Sequence, residues 1–376
     1  MYPSENPIAN EPTTTGTELA PAALPQRTIP PIPHWVIWVA VVMVAFGTGL
    51  WIRGCIGREK GPPSIRPGDR LQRAGDEIVV CGQLFHTGTP VVLWTDPGGY
   101  DAYRFERRFA PYRESSWAAT TQKTRDFTTP NRFNLRSAVL SKEQIEQVRG
   151  GGWPLALLQE KVDQFVIHYD AAGLSRRCFQ ILHDQRTLSV HFMLDLDGTI
   201  YQTLDLKERA WHAGEANARS IGIEIANIGA YGPGGNPDPL EQWYKADETG
   251  LRRVMVPAWI KENGIRTPDF VARPYRNDVV TGTIQGRALR MYDLTPQQYD
   301  SLIKLTAAVC TVLPKIKCDY PRDSSGNLIT QKMPDEQLKG YQGLLGHYHL
   351  TLDKIDPGPA FQWNLVVDGA RKLMKK

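Results

Sequence analysis

Eighteen consecutive residues, Trp35 to Ile52 (WVIWVAVVMVAFGTGLWI), carry no charge. A helix rises about 1.5 Å per residue and a bilayer core is about 30 Å thick, so this run is near the shortest that can cross a membrane. It predicts a single transmembrane helix within residues 34–56. No short basic region or small-residue cleavage site marks it as a secretory leader, which favours an anchor that stays attached. Residues 1–33, rich in Pro, Thr, Ala and Glu without apolar periodicity, read as a disordered tail. Ile52-Arg53-Gly54-Cys55 fits a lipoprotein box poorly because of its arginine. Arg53, Arg58, Lys60, Arg66 and Arg70 follow the span, whereas only Arg27 shortly precedes it. Charge bias alone therefore places the remainder of the chain in the cytoplasm. The chemistry below favours the outer or periplasmic side, and both placements stand.

Of the 376 residues, 41% are hydrophobic and 22% charged, which excludes a disordered or fibrous protein. The net charge of +4 contains no block of five or more basic residues, so no nucleic-acid partner is expected. The five cysteines are scattered and form no CxxC pair, excluding a disulfide scaffold or a cysteine-based zinc site. Cys310 and Cys318 are close enough in sequence to pair, although burial as thiols is the commoner fate.

A Pro/Gly-punctuated linker covers residues 57–75, and residues 76–159 form an N-terminal extension of unassigned role. Within it, Glu77–Phe85 and Val91–Trp94 have strand composition and read as a hairpin. A helical pattern starts at Ser141, a suitable N-cap, and is interrupted by Gly150-Gly-Gly152. Gln164–Tyr169 reads as a buried strand ending near a histidine. A short helix over 178–183 follows, then two strands around the Asp197-Gly198 turn, then a strand at 220–226. Residues 229–293, rich in Gly, Pro and aromatics, form an insertion whose aromatics suggest structure of its own. Thr295-Pro296 opens an amphipathic helix reaching about Leu313, with Leu302, Leu305, Val309 and Val312 on one face.

Three features carry chemistry. His168 lies at a strand end. Glu224 interrupts the apolar run Ile221-Gly-Ile-Glu-Ile225, where a buried carboxylate costs several kcal/mol unless a partner or task compensates, although alternation could also turn it to solvent. The segment Gly346–Gly358 brings His347 and Asp356 nine residues apart, suited to two ends of a loop converging on one ion. His168, His347 and Asp356 would meet the need of a hydrolytic zinc site for three protein ligands and an open position. Glu224 would accept a proton from water, and Lys354 would stabilise an oxyanion. His349 and Asp353 compete as ligands within the same loop. His191 and His212 are weaker candidates, and Trp211 with His212 could line a substrate groove.

Val166-Ile-His168, Val190–Gly198, Ala210-Trp-His-Ala-Gly214, Ser220–Glu224 and Gly346-His347 through Pro359 occur in this order. Together they resemble the zinc-dependent N-acetylmuramoyl-L-alanine amidases of the type 2 family, related to amidase-type phage lysozymes and peptidoglycan recognition proteins. The resemblance covers about residues 160–370. It implies an α/β domain over 160–376, with a mixed central β-sheet flanked by helices. The implied reaction is hydrolysis of the amide between N-acetylmuramic acid and L-alanine in peptidoglycan or muropeptides. It carries the zinc ligands onto His168, His347 and Asp356, the catalytic carboxylate onto Glu224 and the family lysine onto Lys354, and sets His349 outside the ligand set. Two alternatives remain at this stage: a cytoplasm-facing amidase that recycles anhydro-muropeptides, and a peptidoglycan-binding module that does not cleave.

Overall fold

The computed structural model describes residues 66–123, 129–150, 152–235 and 237–375. The expected span at 34–56 lies outside the described residues, and among those described no helix is long and apolar enough to cross a membrane. Gln72–Lys376 form one compact unit.

In chain order the strands are β1 (Glu77–Val80), β2 (Gln83–His86), β3 (Val91–Leu93), β4 (Phe133–Asn134), β5 (Gln164–Tyr169), β6 (Phe192–Leu194) and β7 (Ile200–Gln202). They continue as β8 (Arg209–Ala210), β9 (Ser220–Ile225), β10 (Tyr244–Ala246), β11 (Arg252–Val254), β12 (Val280–Ile284), β13 (Arg287–Met291) and β14 (Gly343–Gly346). Six of them build the central sheet in the order β14-β5-β9-β6-β7-β3. β14, β5, β9 and β6 run parallel, β7 is antiparallel to β6, and β3 is parallel to β7. This is the mixed sheet with flanking helices that the resemblance implies.

Side chains alternate across a strand, so each face of the sheet has its own task. Phe165 and Ile167 of β5, Ile221, Ile223 and Ile225 of β9, and Phe192 and Leu194 of β6 share one core. That core also holds Leu302, Leu305 and Val309 of the helix Pro296–Val312, and Val366 and Val367 of the helix Trp363–Met374. The longer helix starts as its sequence demands: Thr295 Oγ1 accepts from Gln298 N–H and the Gln298 side chain returns a bond to the Thr295 N–H. Its four expected apolar positions, Leu302, Leu305, Val309 and Val312, are all buried. The opposite face presents His168, Glu224 and Met193 side by side, since the register aligns His168 with Glu224 and Glu224 with Met193. Glu224 thus does alternate away from the helix-packed core, but towards a cavity.

Residues 76–159 are not a separate layer. β1 and β2 pair with each other through a turn at Cys81-Gly82. The expected partner Val91–Trp94 instead supplies β3, the edge of the central sheet beside β7. The local hairpin reading fails because β3 pairs with a strand more than a hundred residues away, which neighbouring residues do not encode. Ser141 does cap a helix, Lys142–Val148, in a capping box with Gln144, and a second helix, Leu155–Lys161, begins after the glycines. The short helix expected at 178–183 begins earlier, at Ser175–Phe179, and continues as a wider π turn over Gln180–Gln185. The insertion at 229–293 folds into the hairpins β10-β11 and β12-β13. Cys310 and Cys318 are free thiols.

Candidate metal centre and cleft

Parallel strands collect their carboxyl ends on one edge of a sheet, where ligands bind. Gly346 of β14 pairs with Ile167 of β5, so the next residue of each strand, His347 and His168, emerges at that edge. Asp356 arrives from the loop beyond, whose closure is fixed by the Tyr348 N–H donating to the Asp356 carbonyl at 3.2 Å. His168 Nδ1 lies 3.1 Å from His347 Nδ1 and 2.8 Å from Asp356 Oδ2. His347 Nδ1 lies 3.2 Å from that same oxygen. These are three possible metal donors within 4.8 Å of one another.

The donor set fits a cation. Two imidazole nitrogens this close cannot both carry protons, and with neither protonated their lone pairs repel, while a carboxylate shares the same space. Burial, and then the neighbouring His347, hold His168 below its usual pKa and therefore neutral. Burial opposes ionisation of Asp356, yet its close contacts with His168 and His347 hold it well below the usual carboxylate range. Two imidazoles and one carboxylate leave a fourth position free, a set suited to zinc.

The far nitrogen of His168 is engaged as well. Its Nε2 lies 3.0 Å from His212 Nδ1, and His212 Nε2 lies 3.5 Å from Ser220 Oγ. Burial drives His212 well below its usual pKa, so it is neutral and can accept from His168 Nε2–H, leaving Nδ1 bare for a metal. His212 occupies this place because residue 222 is glycine: a Cβ there would fall 2.4 Å from His212 Cε1. Gly222→Ala is accordingly expected to displace the ring and lower stability by about 1–3 kcal/mol, the usual range for overpacking. Thermal or urea denaturation checks this.

The other candidate histidines, His349 and His191, are occupied elsewhere. His349 Nδ1 accepts from Gly346 N–H at 2.8 Å and its Nε2 donates to the Ile329 carbonyl at 2.7 Å. His191 Nδ1 accepts from Gly222 N–H and its Nε2 donates to the Glu208 carbonyl. Asp353 is exposed and pairs with Lys354 at 3.2 Å. A second trio, Asp76, Glu77 and His86, also clusters, but its carboxylate oxygens are taken up by the N–H groups of Ala74, Gly75 and Gly88, by Arg73 and by His86.

The centre opens into a cavity of about 570 Å³ lined in part by His168, Glu224, His347, Asp356, Trp211 and Lys354. Glu224 makes no hydrogen bond to any described residue, and burial, followed by the charges of Asp356 and Asp170, pushes its pKa well above the ordinary range. Lys354 stands at the rim with 40% of its side chain exposed. Trp211 lines the same cavity and donates through Nε1 to Asn134 Oδ1 at 3.3 Å. Two charged lining residues escaped sequence reasoning. Asp170, pushed up to about 7 by burial, accepts N–H bonds from Ala172, Gly173 and Asn227, and Arg186 adds a cation to the wall. Asp170 stands two residues past His168, a proximity that could have drawn notice; Arg186 had no signal.

A family model described as N-acetylmuramoyl-L-alanine amidase matches residues 158–359. Among curated proteins no sequence matches. Similar solved structures include a selenomethionine derivative of AmpD, at 16% identity over 63% of this chain and 89% of that one, TM-score 0.30. Another is AmiD from E. coli in complex with anhydro-N-acetylmuramic acid-L-Ala-D-gamma-Glu-L-Lys, at 18% identity over 56% and 57% of the two chains, TM-score 0.29. The endolysin LysCS from Clostridium intestinale URNW is 17% identical over 57% of this chain and 86% of that one, TM-score 0.29.

Proposed function

The chain belongs to the N-acetylmuramoyl-L-alanine amidase family, and we propose that it works as a zinc enzyme held at a membrane by residues 34–56. As a member it hydrolyses the amide between N-acetylmuramic acid and L-alanine in peptidoglycan or muropeptides. One observation carries the reading of the site: within the matched region, a two-histidine, one-aspartate cluster and an unpaired carboxylate face the same cavity.

His168, His347 and Asp356 would hold the ion, which when bound supplies a Lewis acid and lowers the pKa of the attacking water. Glu224 takes the proton that this water loses as its oxygen joins the lactyl carbonyl carbon. The same carboxyl then gives the proton to the alanine nitrogen as the C–N bond breaks, so the products are a carboxylic acid and a free amine. Lys354 places its ammonium at the rim to offset negative charge on the carbonyl oxygen. Trp211, with Arg186, offers an apolar face and a cation to the sugar and the carboxylates of the stem peptide.

Mass spectrometry of digested muropeptides tests bond and substrate together. The expected products are stem peptides with a free L-alanine N-terminus; cleavage at a glycosidic bond, or within the peptide, would overturn the reading.

The anchor rests on the uncharged run Trp35–Ile52, and the outer or periplasmic placement on the substrate. The basic residues that follow the run favour the second reading, an enzyme facing the cytoplasm that recycles anhydro-muropeptides. A reporter active on only one side of the membrane, fused after Lys376, is expected to report the outer side. In the same experiment the chain should stay with membranes after an alkaline wash, and deletion of residues 34–56 should release it.

A further inference from the structure

Arg136 lies in the N-terminal segment, outside the matched region, and its side chain is wholly buried. Among the described residues no carboxylate bonds to it. Its guanidinium instead donates to five backbone carbonyls: Leu206 at 2.9 Å, Lys207 at 3.2 Å, Asn217 at 3.0 Å, Ala218 at 3.1 Å and Ser220 at 2.9 Å. Asn217 and Ala218 belong to the 3-10 turn Gly214–Ala218, and Ser220 is the first residue of β9. The fixed fork of an arginine can gather several carbonyls that a lysine ammonium cannot reach together.

The turn it holds leads to the metal centre. Asn217, whose carbonyl accepts from Arg136, turns its Oδ1 the other way and accepts from the N–H groups of His212 at 3.0 Å and Ala213 at 2.6 Å. His212 then meets His168 Nε2 at 3.0 Å. We propose that Arg136 is a positioning residue for the metal centre: through Asn217 it holds His212 against His168 and so orients a ligand it does not touch. The N-terminal extension is on this view a working part of the catalytic unit.

The inference rests on the metal reading above, and the test separates the two. Chelator competition on the full-length zinc-loaded protein measures zinc affinity, alongside kcat, KM and the melting temperature. Partners that orient metal ligands typically contribute 10–100-fold in affinity, so His212→Ala should weaken zinc by about that range and Arg136→Lys by about tenfold. Because the two act in series, Arg136→Lys/His212→Ala should hold zinc no more weakly than His212→Ala alone. Arg132 provides a matched control. It is also buried and bonds the carbonyls of Arg104, Phe105, Pro130 and His183, none of which supports His212. Arg132→Lys should lower the melting temperature and leave zinc affinity unchanged.

Zinc affinity within twofold of wild type in Arg136→Lys, or a double variant whose losses multiply, would overturn the proposal. If Arg136→Lys does not fold, Asn217→Ala breaks the next link and takes its place, with the same outcomes. A wild-type protein that binds no zinc would instead defeat the metal reading itself.

Discussion

Replacing Glu224 by glutamine is expected to lower kcat by at least 10²–10⁴-fold, the usual contribution of a general acid–base group, while zinc stays bound at wild-type stoichiometry. The side chain keeps its shape and its place beside His168, and it is no member of the metal-donor cluster. What it loses is the ability to take a proton and return it. The glutamine also removes a carboxylate whose charged form burial and the charges of Asp356 and Asp170 disfavour. Stability should therefore hold or rise slightly, so lost activity could not be put down to unfolding. Steady-state kinetics, metal analysis and a melting curve on one preparation decide the matter. Turnover near the wild-type rate would remove Glu224 from the base role.

The elements that place this site were legible where a local rule governs them. β5 and β9 follow from short apolar runs, and the helix from Pro296 follows from its cap and four-position stripe. Glu224 stood out because a carboxylate between isoleucines breaks the local pattern. Arg136 did not, although it is more deeply buried. In the run Asn131-Arg-Phe-Asn-Leu-Arg136 it resembles any solvated charge, and its partners are carbonyls, which every residue has and no sequence marks. β3 was misassigned for a related reason: its partner β7 is distant in sequence and lies parallel to it. The β12-β13 hairpin hid behind an unusual turn. Gln285 at φ 52° and Gly286 at φ 71° make the tight reversal that Asn-Gly or Asp-Gly would have advertised. The order of the chemical motifs was readable, whereas the support beneath His168 was not, because it depends on the absence of a side chain at Gly222 and on one asparagine oxygen.

The other large effect is expected at Asp356. Its Oδ2 is shared by both histidine Nδ1 atoms, at 2.8 and 3.2 Å, and it is the sole anionic member of the described donor cluster. Asp356→Ala removes the charge that offsets the cation and leaves two imidazoles. Zinc content should fall from about one per chain to a small fraction, and amidase activity should fall with it. A buried hydrogen bond to a charged group contributes about 1.5–3 kcal/mol, so the metal-free variant should also unfold at lower denaturant than metal-free wild type. Two neighbours in the same loop make the comparison specific. Asp353→Ala removes an exposed carboxylate that interacts with Thr351 and Lys354 and should keep zinc and fold. His349→Ala breaks the bridge between Gly346 and Ile329, so it should lose stability yet bind one zinc per folded chain. Metal analysis of the three variants separates a ligand from a capped loop residue and from a surface charge. Zinc retained by Asp356→Ala but lost by Asp353→Ala would move the third ligand three residues towards the N-terminus and require the loop to reorganise around the ion.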